Sequence, residues 1–185
     1  MKKATLVLLS LLALATVSAF GQTPANGKIS LGFGVEGALP LGDFSNASNF
    51  GIGGMALVAY PVDPSLTLTG KVGYMSFSSK VSGGPSLHMI PVLVGARYFL
   101  MPSIESTSMR SYIAADAGIY NSSVDVGGGL GTVSSTKFGI APTVGAQFAA
   151  GSGMNVDVHV NYSMIFTDPS STSYLGFGVG LEFGM

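Results

Sequence analysis

The chain has 185 residues, enough for one domain, with 47% hydrophobic residues, 9% charged residues and a formal net charge of −1. Soluble domains average roughly a quarter charged residues, so this composition excludes an ordinary water-facing surface, and eight basic residues against nine acidic exclude a nucleic-acid footprint. No cysteine occurs, which excludes a disulfide framework, a thiolate metal site and a lipid anchor on an N-terminal Cys.

The N-terminus carries Met1, Lys2 and Lys3, an apolar run from Leu6 to Ala15, and the small-residue site Val17, Ser18, Ala19. This is the pattern of a secretory signal peptide over 1–19, cut after Ala19. Removing it leaves a short segment over 20–27 and a net charge near −3. After residue 20, Gly, Ser, Asn or a charge recurs every few positions, so no later stretch reaches the ~18 to 20 unbroken apolar residues that a membrane-spanning helix needs.

From residue 28 to the C-terminus the chain instead divides into eight segments with apolar side chains at every second position. The spacing predicts strands over 28–39, 50–60, 66–78, 87–99, 111–120, 137–148, 154–166 and 174–183. Alternate side chains of a strand point to opposite sides, so Leu175, Phe177, Val179, Leu181 and Phe183 make one greasy face of the last segment. Its other face holds Tyr174, Gly176, Gly178, Gly180 and Glu182. The connections, rich in Gly, Pro, Asn, Asp and Ser, are 40–49, 61–65, 79–86, 100–110, 121–136, 149–153 and 167–173. An even strand number puts both termini on one side, the periplasmic one, and the outward loops exceed the turns 61–65 and 149–153 in length. The 100–110 connection departs from this, with strand extension as its one available explanation.

Apolar-out, polar-in alternation over about ten residues per crossing is the signature of a transmembrane β-barrel. Its 28–185 domain is predicted as an all-β, eight-stranded, antiparallel up-and-down barrel. Outward aromatics near the strand ends predict two interfacial girdles: Tyr60, Tyr98, Phe148 and Phe183 on the inner side, Tyr74, Phe138, Tyr162 and Phe166 on the outer. The inward face predicts a lumen polar network of Glu36, Lys71, Arg97, Asp116, Gln147, Asp157, His159 and Glu182. Eight strands leave a lumen just wide enough for side chains, so these charges must be paired or hydrated. Strand adjacency suggests Arg97 facing Asp116, and Glu182 facing Glu36 as a like-charge pair that Lys71 or Arg97 relieves.

Other motifs carry little. Residues 32–37 read Gly-Phe-Gly-Val-Glu-Gly, a literal G-x-G-x-x-G, but the dinucleotide motif needs a helix opening at its glycines and these lie inside a strand. Asn46, Asn121 and Asn161 begin Asn-x-Ser sequons, the last within a strand. His159 with Asp157 and Ser163 has the residue types of a hydrolase triad, yet inward residues two apart stand ~6.5 Å apart along a strand, beyond direct hydrogen-bond reach. His88 is expected at a solvated rim. Two histidines and no cysteine predict no catalytic residue, no metal site and no cofactor. The four glycines within 127–131 mark a flexible outward loop, where a partner site is best sought.

Taken with the leader and the eight segments, the residues Leu39 to Phe44, Gly73 to Phe77 and the closing run Gly176 to Phe183 resemble the small outer-membrane β-barrels of Gram-negative bacteria, of OmpA-like or OmpX-like type. The resemblance implies an outer-membrane location, lipid as the surrounding partner, the barrel-assembly machinery as a partner in biogenesis reading Phe183, an extracellular ligand of unknown kind, and a monomer. It implies a non-enzymatic structural or surface-interaction role with a closed lumen. The alternatives are a narrow pore, mildly cation-preferring because the assigned lumen charges are two positive and four negative, and less plausibly a lipid-modifying barrel enzyme or a soluble lipocalin-like binder.

Overall fold

Each β-strand of a sheet must pair along both edges, and within hydrocarbon no water can satisfy an edge left open. The chain meets that demand by closing on itself. The computed structural model describes residues 29–81, 84–100, 109–125, 132–151, 153–167 and 171–184. The strands are β1 (Ser30–Leu41), β2 (Ser48–Pro61), β3 (Leu66–Ser79), β4 (Leu87–Phe99), β5 (Met109–Asp125), β6 (Thr132–Gly151), β7 (Met154–Phe166) and β8 (Ser171–Gly184), joined in sequence order into a closed antiparallel barrel. Closure runs through twelve β1–β8 pairs, from Ser30↔Gly184 to Leu41↔Ser173. The leader and the 127–131 glycines lie outside the described residues.

Strand boundaries differ from the sequence reading chiefly at the end opposite the termini. The 121–136 connection is mostly strand, because Asn121↔Thr136 through Asp125↔Thr132 continue the β5–β6 ladder. Ser and Asn were read there as turn residues. Cross-strand hydroxyl pairs and interleaved Thr and Val support a ladder in water equally well. The 40–49 connection is also shorter: β1 continues through buried Pro40 to Leu41, Gly42 turns the chain at φ 56°, and a single helical turn α1 (Phe44–Ala47) leads into β2. At the other end Asp63 Oδ1 accepts hydrogen bonds from the Ser65 and Leu66 amides, 2.7 and 2.9 Å, which tightens the β2–β3 turn. Part of the 100–110 connection is ladder as well, with the Leu100 amide donating to Ser111 O at 2.9 Å.

Alternation sends the two faces to different solvents. Phe33, Val35, Ile52, Val72, Val94, Ile113, Val144, Val158 and Val179 are exposed on the outside, whereas Glu36, Arg97, Asp116, Gln147, Asp157 and Glu182 are buried inside. A soluble barrel has the reverse arrangement. So wide an apolar surface is stable only against lipid.

Two prolines interrupt the wall. A closed barrel has no edge on which to place a residue without an N–H. Pairing between β3 and β4 passes from Val72↔Val92 to Met75↔Met89, skipping Pro91. Between β6 and β7 it passes from Ile140↔Met164 to Thr143↔Asn161, skipping Pro142, while the β5 side of Pro142 stays paired. Pro142 is exposed to the outside and fills no interior space. Pro142→Ala should therefore restore a ladder donor and raise the stability of the refolded barrel by about 1 kcal/mol in urea titration. An unchanged midpoint would mean that the skipped pair costs nothing.

Candidate functional site

The barrel interior is built in two storeys. Toward the end that carries α1, which is the loop end, Ala38, Met75, Phe77, Met89, Leu93, Tyr120, Ala141, Ile165 and Tyr174 form one apolar cluster. Phe44 of α1 packs onto it, its ring 5.0 Å from that of Phe77, which in turn stands 5.6 Å from Tyr174. A first-loop residue thus caps the barrel from above. Sequence reasoning assigned Phe44 no such role, since nothing in a short polar connection says which side chain turns inward.

Below it lies the charged storey. Arg97, 3% exposed, donates to Glu182 at 2.9 Å and lies 3.9 Å from Asp157. Gln147 donates to the same Glu182 oxygen at 2.7 Å. Lys71 pairs with Asp116 at 2.7 Å, and Thr69 donates to the other Asp116 oxygen at 2.9 Å. His159 stands between two carboxylates, with Nδ1 2.7 Å from Asp157 and Nε2 3.8 Å from Glu36. Tyr112 donates to Asp157 at 2.9 Å. Asn161 donates to Glu36 at 3.0 Å, Ser163 donates to Asn161 at 3.2 Å, and Tyr120 donates to Ser163 at 3.4 Å, so a hydrogen-bonded chain climbs into the apolar storey.

All eight inward polar residues singled out in the sequence face this interior, but two of the suggested pairings do not form. Arg97 is paired across the ladder with Ala114 while Asp116 lies opposite Gly95, so Asp116 turns to Lys71. Glu182 lies opposite Gly32 and Glu36 opposite Gly178, four positions apart, so no like-charge pair arises between them. The distance argument about Asp157 and His159 also fails, because long side chains on neighbouring inward positions lean toward each other along the strand. Sequence reasoning missed Tyr112, Asn161 and Thr69 as members of the network, and named Ser163 only beside His159 and Asp157; each shares the inward parity of a residue it did place there.

Glycines make the room. A Cβ on Gly95 would run into Asp116, one on Gly176 into Glu36 and Asn161, one on Gly178 into His159, and one on Gly145 into Tyr112. Asp116, Tyr112, Glu36, His159 and Asn161 each have a bare backbone opposite them. The remaining space is a cavity of about 50 Å³ between Glu36, Lys71, Arg97, Tyr112, Asp157, His159 and Glu182, room for about three waters. Glu36 Oε2, which lines it, has no hydrogen-bond partner among the described residues.

The turn end is closed by stacked rings and guanidinium groups. Arg110 lies 3.6 Å above the Phe99 ring and donates to Pro64 O at 2.6 Å. Phe99 meets Tyr112 edge-on at 5.8 Å, and Arg97 covers Tyr112 at 4.6 Å. On the outer wall Tyr98, Phe148 and Phe183 are exposed toward the turn end, and Tyr74, Phe138 and Phe166 toward the loop end. Tyr60 and Tyr162 are half-buried. Phe33 stacks on Phe183 and Phe138 on Phe166. His88 belongs to this outer wall, with its Nδ1 2.7 Å from the Tyr74 hydroxyl.

Removing one member of a buried pair strands the other. Arg97→Met should destabilise the refolded barrel by about 3 to 5 kcal/mol, Glu182→Gln by less. The double variant should lose clearly less than the sum in urea titration, and strict additivity would show that the two side chains do not interact.

Comparison with known proteins gives the same architecture. No functionally curated protein matches the chain. Neisserial surface protein A (NspA) superposes with a TM-score of 0.67 at 15% identity, over 89% of this chain and 100% of its own. Ail of Yersinia pestis gives 0.56 at 16%, over 86% and 100%, and has also been solved with the heparin analogue sucrose octasulfate. OprG of Pseudomonas aeruginosa gives 0.55 at 10%, over 86% and 97%. These identities speak for the fold alone. The profile of one family, described as "Outer membrane protein beta-barrel domain", matches residues 5–183. With nearly the whole sequence matched and eight strands closed into the barrel that such a profile describes, the chain belongs to the outer-membrane β-barrel protein family.

Proposed function

We propose that this protein is a sealed barrel in the outer membrane that acts through the surface at its loop end and conducts nothing through its lumen. The observation that carries this reading is the filled interior. Phe44, Phe77 and Tyr174 occupy the loop end, the charged storey the middle, and Arg110 over Phe99 the turn end. The cavity among the charged residues is about 50 Å³. In this reading the eight polar lumen residues brace the wall rather than line a path. The exposed aromatics at both ends anchor the barrel at the two membrane interfaces.

By the usual asymmetry of such barrels, the turn end with both chain termini faces the periplasm and the loop end faces outward. Among the described residues the β5–β6 ladder is the longest, reaching Asp125↔Thr132 at the loop end. An extracellular ligand belongs on this surface. Catalysis inside the barrel has little support: both nitrogens of His159 face carboxylates, and among the described residues no hydroxyl nucleophile is hydrogen-bonded to it.

Planar-bilayer recording tests the reading. The wild-type barrel should insert without discrete conductance steps, and Arg97→Ala alone should stay silent because the apolar storey still blocks the path. Small, salt-dependent steps should open only when Phe77→Ala and Tyr174→Ala are combined with Arg97→Ala and Arg110→Ala, which thin all three layers. Regular steps from the wild type would overturn the sealed-barrel reading in favour of a narrow pore.

A further inference from the structure

The outer wall is apolar along most of its height, and one place departs from this. Among the described side chains, His88 is the sole Lys, Arg, Asp, Glu or His on an outward strand position. The register places it in an ordered surface. Val72, Val92, Ile119 and Phe138 lie side by side across β3, β4, β5 and β6. Two residues further toward the loop end the same strands present Tyr74, Ile90, Asn121 and Thr136. Two further still they present Ser76, His88, Ser123 and Ser134, joined as Ser76↔His88, His88↔Ser123 and Ser123↔Ser134. The wall thus passes from hydrocarbon-compatible to hydrogen-bonding within one step along four adjacent strands.

The centre of this strip is held in place. The Tyr74 hydroxyl meets His88 Nδ1 at 2.7 Å and the rings stack with centroids 5.7 Å apart. The second ring nitrogen, Nε2, has no protein partner among the described residues and can serve as a hydrogen-bonding group toward the membrane. Beside it, Asn121 donates to Thr136 at 2.9 Å, and half of the Tyr74 surface remains open.

We propose that this strip binds the sugar headgroup of an outer-leaflet glycolipid. A lipid whose chains cover Val72, Val92 and Ile119 carries its headgroup to the level of Tyr74 and His88. The strip offers hydroxyls, an amide, an imidazole nitrogen and an aromatic face, a set of hydrogen-bonding and stacking groups. Sugar hydroxyls match that set. A phosphate would call for Arg or Lys, and the described outer strand positions hold neither. The inference rests on the membrane setting of the wall and is independent of whether the lumen is sealed.

The test is native mass spectrometry of the chain refolded into phosphatidylcholine nanodiscs that contain, as minor components, either a digalactosyl diacylglycerol, which has sugar and no phosphate, or phosphatidylglycerol. Heat-dependent gel mobility first confirms that each variant is folded. The wild type should retain the galactolipid in preference to phosphatidylglycerol. His88→Phe keeps the stacked ring and removes its hydrogen-bonding nitrogens, and should lower galactolipid retention about 3- to 10-fold. Tyr74→Phe, which frees the imidazole, should lower it too, while Phe177→Leu on the opposite wall should not. Galactolipid retention unchanged in His88→Phe, or phosphatidylglycerol retained equally well by the wild type, would overturn the proposal.

Discussion

Backbone hydrogen bonding in a medium without water is the constraint from which the rest of this structure follows. Every N–H and C=O that crosses hydrocarbon must find a partner in the protein, so β1 and β8 meet along their full length and the sheet has no edge. Closure at eight strands then fixes a lumen only a few side chains wide. Once the outside is given to lipid, alternation delivers the charged residues of the membrane-crossing height to that narrow space. The interior chemistry is a consequence of the wall.

Within so small a lumen, bulk and charge have to be balanced strand by strand. Glycines at Gly95, Gly145, Gly176 and Gly178 stand against Asp116, Tyr112, Glu36 with Asn161, and His159. Carboxylates that would be ruinous alone are held by Arg97, Lys71, Gln147 and Tyr112 at hydrogen-bonding distance. The apolar storey needs none of this and packs as an ordinary core. Its position beneath α1 ties the first loop to the inside of the barrel, so at least one segment on the loop end is fixed by packing and not only by its hinges.

Much of this was legible before any coordinates, because a period of two is the most robust pattern a strand writes into sequence. Phe177, Val179 and Leu181 against Gly178 and Glu182 declare both faces at once. What the pattern lacks is register. One ladder offset separates Arg97 opposite Asp116 from Arg97 opposite Ala114, and no residue type encodes that offset. Strand ends were equally hard to read above the lipid, where Asn121 to Asp125 and Thr132 to Thr136 are polar on both faces and lose their alternation. The strip around His88 was invisible for the same reason. Ser76, His88, Ser123 and Ser134 become neighbours only when four strands are aligned.

The charged storey joins residues far apart in the chain: Arg97 to Glu182 across 85 positions and Asn161 to Glu36 across 125. None of these bonds exists in a hairpin; each waits for distant strands to come together. A strand that slipped by one residue during closure would turn its entire inward set toward lipid, so Glu36, Asp157 or Glu182 would lose its partners and face hydrocarbon together. Wrongly threaded barrels are penalised at the moment of sealing, and correct alignment is rewarded only when the ring is complete.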